Sequence, residues 1–243
     1  FWMWLIATIG AASAFVESLL AQLYKHHGKD SYIGGPAYYM TRGLNARWMG
    51  VLFAVIICVT YGFVFNMVQS NSIADAVSES LAGVAPEFAS SAALKVILGI
   101  ILAAITALII FGGVRSISAV TQILVPVMAI LYIGLGLIVV AMNIGEVPHV
   151  FAQIIEGAFG IREFVTGGVI GVIMQGVKRG LFSNEAGMGS APNAGATAAV
   201  SHPAKQGFVQ SLGVYFDTLV VCSITAFIVL LSEPAFGDSA EGA

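Results

Sequence analysis

Residues 167–194 form an apolar segment that polar residues and glycines interrupt before it could cross a membrane. The interruption includes Ser183, Asn184 and Glu185, and Gly187 follows them. In hydrocarbon every backbone N–H and C=O needs an internal partner, so irregular backbone is tolerated only where protein or a wet cavity surrounds it. The pattern therefore predicts a broken helix. Its two half-helix ends would offer free carbonyls to cations and free N–H groups to anions.

A single charge, Asp217, lies in the apolar run 208–232, and Thr218 belongs to a polar stripe beside it. A charge near the middle of a membrane helix costs on the order of 3 kcal/mol unless it has a partner. Two partners are open: a basic side chain of the interrupted segment, Arg179 or Lys178, or a sodium ion. We favour the ion pair, because a base at comparable depth would be stranded without a carboxylate.

A second polar face lies in the apolar run 48–74. Phe63, Asn66 and Ser70 share one face of a helix by their three-to-four spacing. Asn66 is predicted near the middle or outer half of a long tilted helix. This face is open to two interpretations, a wall of a solute site or an interhelical hydrogen bond that serves packing.

These residues lie in a chain whose composition is that of an all-α integral membrane protein. Of the 243 residues, 58% are hydrophobic and only 9% are charged, whereas soluble domains carry about 25% charged residues. Cys58 and Cys222 lie in apolar runs and are predicted to be buried thiols. The four histidines form no ligand pair at helical spacing, and no nucleophile and base set points to an enzyme. No metal other than sodium and no nucleic-acid partner is predicted.

Six runs are apolar and long enough to cross a bilayer as helices, given that about 20 residues suffice. We predict one transmembrane domain over residues 1–243 and, because Phe1 opens directly in an apolar run, an internal part of a longer protein. The predicted segments are 1–24, 48–74, 94–114, 119–144, 164–191 (broken) and 208–232.

Basic residues concentrate at alternate ends of these segments. The connection 25–47 holds four of them, and by the positive-inside rule it is predicted to be cytoplasmic. The first and last segments would then run in opposite directions. Residues 15–20 and 215–220 resemble each other at a constant offset of 200, with Glu17 and Asp217 at equivalent positions. A repeat in opposite orientation is typical of inverted-repeat transporters, and a chance match of six residues in apolar sequence is the alternative.

Three motifs support a family resemblance: GGPAYY at 34–39, NMVQSNS at 66–72 and KRGLFSNEAGMGSAP at 178–192. With them the chain resembles the alanine or glycine:cation symporter family. That resemblance implies a five-plus-five inverted-repeat fold, shared with the neurotransmitter:sodium symporters, of which the six segments correspond to helices two to seven. It also implies import of alanine or glycine across the cell membrane with sodium as the coupling ion. The first broken helix and helices eight onward of that fold are not in this sequence.

On this resemblance the substrate is expected at the break, between Gln175 and Gly187. Its carboxylate would face the inner half-helix, with Ser183 as the N-cap, and its ammonium would face the carbonyls that end the outer half-helix. Phe63 and Asn66 would close one wall. The further predicted contacts are Gly180 and Asn184. The glycine pairs Gly167/Gly171 and Gly176/Gly180 are equally well interpreted as packing grooves or as hinges. A proton-coupled carrier and a channel are the alternatives.

Overall fold

The computed structural model describes residues 1–28, 31–83, 85–89, 91–159 and 168–231. Over these ranges the chain is built almost entirely from helices, as its composition predicts. A two-residue hairpin pairs His26 with Ile33. The elements are α1 (Trp2–Leu23), β1 (His26–His27), β2 (Tyr32–Ile33), α2 (Pro36–Arg42), α3 (Arg47–Val59), a first π-helical segment (Thr60–Phe65), α4 (Asn66–Ala82), α5 (Pro86–Ala89), α6 (Ala92–Phe111), α7 (Gly113–Met142), α8 (Val147–Ala158), α9 (Gly168–Asn184), α10 (Ser190–Ala196), α11 (Pro203–Tyr215), a second π-helical segment (Phe216–Val221) and α12 (Cys222–Leu231).

Five helices in the described part of the chain are long and apolar enough to cross a membrane. The second is longer than predicted, because α3, the first π-helical segment and α4 form one continuous helix that runs past residue 74. The broken segment contributes α9 as a separate helix, and its predicted beginning at Phe164 lies outside the described residues. The five helices span Trp2–Leu23, Arg47–Ala82, Ala92–Phe111, Gly113–Met142 and Pro203–Leu231.

The chain divides into two compact units. The first comprises Phe1–Asn45 with Val127–Ala243, and the second comprises Ala46–Pro126. In the second unit, Lys95 of α6 and Asp75 of α4 form a salt bridge with an Nζ to Oδ1 distance of 3.0 Å. Both side chains are more than half exposed, so this contact adds little stability in an aqueous setting.

In the first unit α1 packs against α9, α10 and α11 through small side chains. Ala7, Ala11 and Ala14 are almost completely buried there. Small residues let membrane helices approach closely, which gives the dispersion contacts that hold them together in lipid. α1 is therefore the central helix of this unit.

Three contacts show that α1 runs antiparallel to α11 and α12. The Trp4 indole N–H donates to Ser223 Oγ at 2.9 Å, and Ser211 Oγ donates to the Ala11 carbonyl at 2.7 Å. Further along, the ring centroids of Phe15 and Phe208 lie 5.0 Å apart. The residue numbers of the contacts rise along α1 and fall along the partner helices. This antiparallel arrangement is the one that the distribution of basic residues in the loops predicts.

Side chains at the end of α1 hold the short helix α10 in place. Gln22 Nε2 donates to the Gly195 carbonyl at 2.6 Å and to the Ala198 carbonyl at 3.0 Å. Lys25 Nζ also donates to the Ala198 carbonyl, at 2.7 Å. The Gly195 carbonyl is one of those that a helix leaves free at its C-terminus, and Ala198 lies two residues beyond the end of α10. The orientation of α10 is thus set by α1.

Candidate functional site

The break predicted in the fifth segment lies between α9, which ends at Asn184, and α10, which begins at Ser190. Three alternate residues in it have left-handed backbone: Glu185 at φ 50°, Gly187 at φ 85° and Gly189 at φ 77°. Glycine adopts this conformation readily, whereas a residue with a side chain does so at a cost. The chain therefore cannot continue as a helix through these positions.

The prediction that Ser183 caps the inner half-helix is wrong. Ser183 lies in the last turn of α9, and the N-cap of α10 is Gly189. The reason is that α9 continues until the first left-handed residue, Glu185. Local side chains complete the turn that follows: Asn184 Oδ1 accepts from the Ala186 N–H at 3.1 Å. This is the local bonding by which asparagine favours turns over helix.

The carboxylate of Glu17, on α1, contacts the break directly. Its Oε2 accepts a hydrogen bond from the Gly187 N–H at 3.2 Å. The same carboxylate lies near Tyr39 of α2. The pKa of Tyr39 is raised to about 12, mainly by burial and to a smaller extent by the negative charge of Glu17, because both disfavour the phenolate. Glu17 thus lies where α1, α2 and the break meet.

Asp217 lies in the second π-helical segment, a wider helical turn of a kind that is frequent at functional sites. Its Oδ2 accepts a hydrogen bond from Ser183 Oγ at 2.5 Å, and the Cys222 thiol lies 4.0 Å from the same oxygen. A short hydroxyl-to-carboxylate bond is among the strong ones in proteins.

The predicted ion pair between Asp217 and Arg179 is wrong. No salt bridge joins Asp217 to Arg179, and both residues belong to the part of the chain that the structure describes. Arg179 lies one turn before Ser183 on α9 and is exposed. Its side chain lines a separate pocket of about 300 Å³ with Trp2 and Phe1. The Asp217 carboxylate is therefore hydrogen-bonded to the Ser183 hydroxyl, one turn further along α9, and not to the Arg179 guanidinium.

A cavity of about 230 Å³ lies between α1, the break and α11 in the first unit. Three carboxylates, those of Glu17, Glu185 and Asp217, line it, and no lysine or arginine is among its described lining residues. The electrostatic potential inside is accordingly negative. The other lining residues are Ala14, Ser18, Ser183, Asn184, Ala186, Ala191, Pro192, Gln210, Gly213 and Val214.

The structure brings together part of the predicted site. Ser183, Asn184 and Asp217 line the cavity, and Gly187 adjoins it through its hydrogen bond to Glu17. Thr218 is completely buried, but it lines a different pocket, with Trp4 and Cys222 among others. No described hydrogen-bond partner meets its hydroxyl.

The remaining predicted residues lie elsewhere. Gln175 lines the same pocket as Arg179. Gly180 is buried against the Ile6 side chain, which indicates a packing groove. Phe63 and Asn66 belong to the second unit, where Phe63 is exposed and Asn66 Nδ2 donates to the Gly62 carbonyl at 3.0 Å. The Asn66 bond is thus made within its own helix.

Sequence reasoning did not place Glu17 and Ser18 in the site. A signal for Glu17 was present, because it is the only charge in the first apolar run, as Asp217 is in the last. Ser18 is fully buried, and its hydroxyl has no hydrogen-bond partner in the described part of the chain. Nothing in the sequence distinguishes it from other serines of apolar helices.

Several long apolar helices, and a broken helix beside a cavity lined by carboxylates, indicate a multi-pass membrane protein. The chain belongs to the sodium:alanine symporter family, whose sequence profile matches it over residues 1–243.

Three relatives illustrate the similarity. The amino-acid carrier protein AlsT of Bacillus subtilis is 53% identical over 95% of this chain and 48% of its own length. The probable sodium/glutamine symporter GlnT of the same organism is 52% identical over 96% of this chain and 47% of its own length. The sodium/alanine symporter AgcS of Methanococcus maripaludis is 41% identical over 96% of this chain and 50% of its own length. The chain therefore spans about half the length of these relatives.

Proposed function

We propose that the intact protein is a secondary active symporter that imports a small neutral amino acid, alanine or glycine, together with sodium by alternating access. The observation that supports this most directly is the break between α9 and α10, beside a cavity lined by carboxylates, in a chain that matches the family throughout. Broken helices at membrane depth provide backbone ends for ions and substrates in such carriers.

The proposed fold is the five-plus-five inverted repeat. Its support is that α1 runs antiparallel to α11, and that α1 and the second π-helical segment, which continues α11, carry equivalent dipeptides 200 residues apart. Glu17-Ser18 and Asp217-Thr218 each place a carboxylate in the same cavity and bury a hydroxyl that lacks a described partner. Two unrelated helices would not be expected to share both properties.

The proposed orientation in the cell membrane places the connection 25–47 in the cytoplasm, because basic residues concentrate there. Single cysteines at Gly43 and Ala85, in a background without Cys58 and Cys222, test it. Impermeant thiol reagents outside intact cells should label position 85 and not position 43. The opposite labelling pattern would reverse the orientation.

For the substrate, we propose that the ammonium group lies near the carbonyls that end α9, where Asn184 and Ser183 line the acidic cavity. The substrate carboxylate would be repelled by that cavity, so it must bind on the other side of the break. The name of GlnT favours glutamine as a second candidate substrate.

Uptake of labelled amino acids into proteoliposomes that contain the intact protein tests the function. An inward sodium gradient should drive accumulation of alanine, and excess unlabelled glycine or glutamine should compete if either is a substrate. Accumulation with a proton gradient alone would support the proton-coupled alternative instead. No accumulation with any gradient would contradict the proposal.

A further inference from the structure

Two carboxylates enter one cavity from two antiparallel membrane helices. Glu17 accepts one hydrogen bond, from the Gly187 N–H, and Asp217 accepts one from Ser183 and a weak contact from Cys222. Neither belongs to a salt bridge in the part of the chain that the structure describes. An uncompensated carboxylate in a membrane helix is costly, so two in one cavity call for a cation.

The buried hydroxyl of Ser18 is an independent observation that points to a ligand. Ser18 has no exposed surface, lines the cavity, and has no described hydrogen-bond partner for Oγ. An unsatisfied buried hydroxyl destabilises the folded protein, and most buried polar groups in folded proteins have a hydrogen-bond partner. Ser18 follows Glu17 in the sequence, and hard cations take oxygen ligands such as its hydroxyl and the Glu17 carboxylate.

The end of α9 adds to the negative potential. α9 has 17 residues and ends at Asn184, in the wall of the cavity. The C-terminus of a helix acts as about half a negative charge. The cavity volume of about 230 Å³ leaves room for several water molecules, so a cation could keep part of its hydration shell. A bare proton would leave the Ser18 oxygen without a partner.

We propose that this cavity binds Na⁺, with the Glu17 carboxylate and the Ser18 hydroxyl as direct ligands and Asp217 supplying further negative charge. The proposal rests on the proposed sodium-coupled transport, and it adds where on this chain a sodium ion binds. It also gives α1 a role beyond packing, because binding at Glu17 joins α1 to the break at Gly187.

Ser18→Ala in the intact protein is the most discriminating variant. If Ser18 binds Na⁺, the half-saturating Na⁺ concentration should rise about tenfold, the equivalent of about 1.4 kcal/mol from one ligand. Thermal stability in choline chloride should not fall, because the variant only removes an unsatisfied hydroxyl. Ser78→Ala is the matched control, since Ser78 Oγ is another buried hydroxyl without a described partner and lies outside the cavity. It should leave the Na⁺ dependence unchanged.

Glu17→Gln provides the second test, with the exposed Glu79→Gln as the charge-matched control. We would measure thermal stabilisation of the purified intact protein by NaCl against choline chloride, without amino acid. Wild type and Glu79→Gln should be stabilised by Na⁺, and Glu17→Gln should lose that stabilisation.

Unchanged Na⁺ dependence in both Ser18→Ala and Glu17→Gln would overturn the proposal. The assay without amino acid separates this proposal from the proposed function. Na⁺ stabilisation that depends on Glu17 would support the site even if no sodium-driven uptake were found. Sodium-driven uptake that is indifferent to Glu17 and Ser18 would support the function and refute the site.

Discussion

The packing of α1 on α11 holds Glu17 and Asp217 at one cavity. Adding one methyl group at Gly207, as in Gly207→Ala, should weaken this packing. A Cβ atom at Gly207 would lie 2.7 Å from Phe15 Cδ2 and 3.0 Å from the Phe15 carbonyl oxygen. Carbon atoms in contact prefer about 3.5–4.0 Å, so the overlap with the ring is about 1 Å. The ring already packs on Phe208, and the carbonyl oxygen moves only with α1 itself. Gly207→Ala should therefore separate the two helices.

Overpacking of this kind typically costs about 1–3 kcal/mol. Alanine also favours helix over glycine by about 1 kcal/mol, and a control variant removes that term. Gly134→Ala in α7 is suitable, because a Cβ atom there meets nothing within 4 Å. Relative to this control, Gly207→Ala should shift the unfolding equilibrium by about 5- to 150-fold toward the unfolded state.

Reversible unfolding of the intact protein in mixed detergent micelles measures this difference. Sodium-driven uptake by the two variants should differ in the same direction, because the cavity is built across the α1–α11 contact. Equal stability of Gly207→Ala and Gly134→Ala would refute the packing of these two helices, and with it the geometry of the cavity.

Three further predictions follow from the same unit. Arg179→Gln should change stability by less than about 0.5 kcal/mol and should not rescue Asp217→Asn; rescue of thermal stability would restore the rejected ion pair. Gly189→Ala should destabilise the protein by about 1–2 kcal/mol relative to wild type, because the φ of Gly189 is 77°. Stability should fall as pH rises from 10 to 12, because the Tyr39 phenol ionises near 10 when unfolded and near 12 when folded. Tyr39→Phe should flatten that fall, and an unchanged pH profile would contradict it.

The length of the apolar runs in the sequence made most of the membrane helices predictable. The run 94–114 corresponds to Ala92–Phe111 and the run 208–232 to Pro203–Leu231, because about 20 apolar residues in a row have few other stable conformations in a bilayer. The break was predictable for the opposite reason, since left-handed residues such as Gly187 and Gly189 interrupt an apolar helix. The family was also correctly identified from its motifs.

The contacts within the site were not predictable in the same way. Arg179 and Ser183 lie one turn apart on α9, and the one that meets Asp217 depends on how far two helices slide along each other. No residue pattern determines that register. The π-helical turn at Asp217 also changes the direction of the neighbouring side chains, and no pattern in the sequence predicts this turn. Burial of Ser18 is likewise a product of three-dimensional packing.

Simultaneous measurement of labelled sodium and labelled alanine entering the same proteoliposomes tests the central claim most directly. With the intact protein, we predict that each solute enters only in the presence of the other and in a fixed ratio. Glu17→Gln should reduce both fluxes together. Sodium entry that continues without alanine would indicate a channel, and alanine entry that is independent of sodium would contradict coupling through the carboxylate-lined cavity.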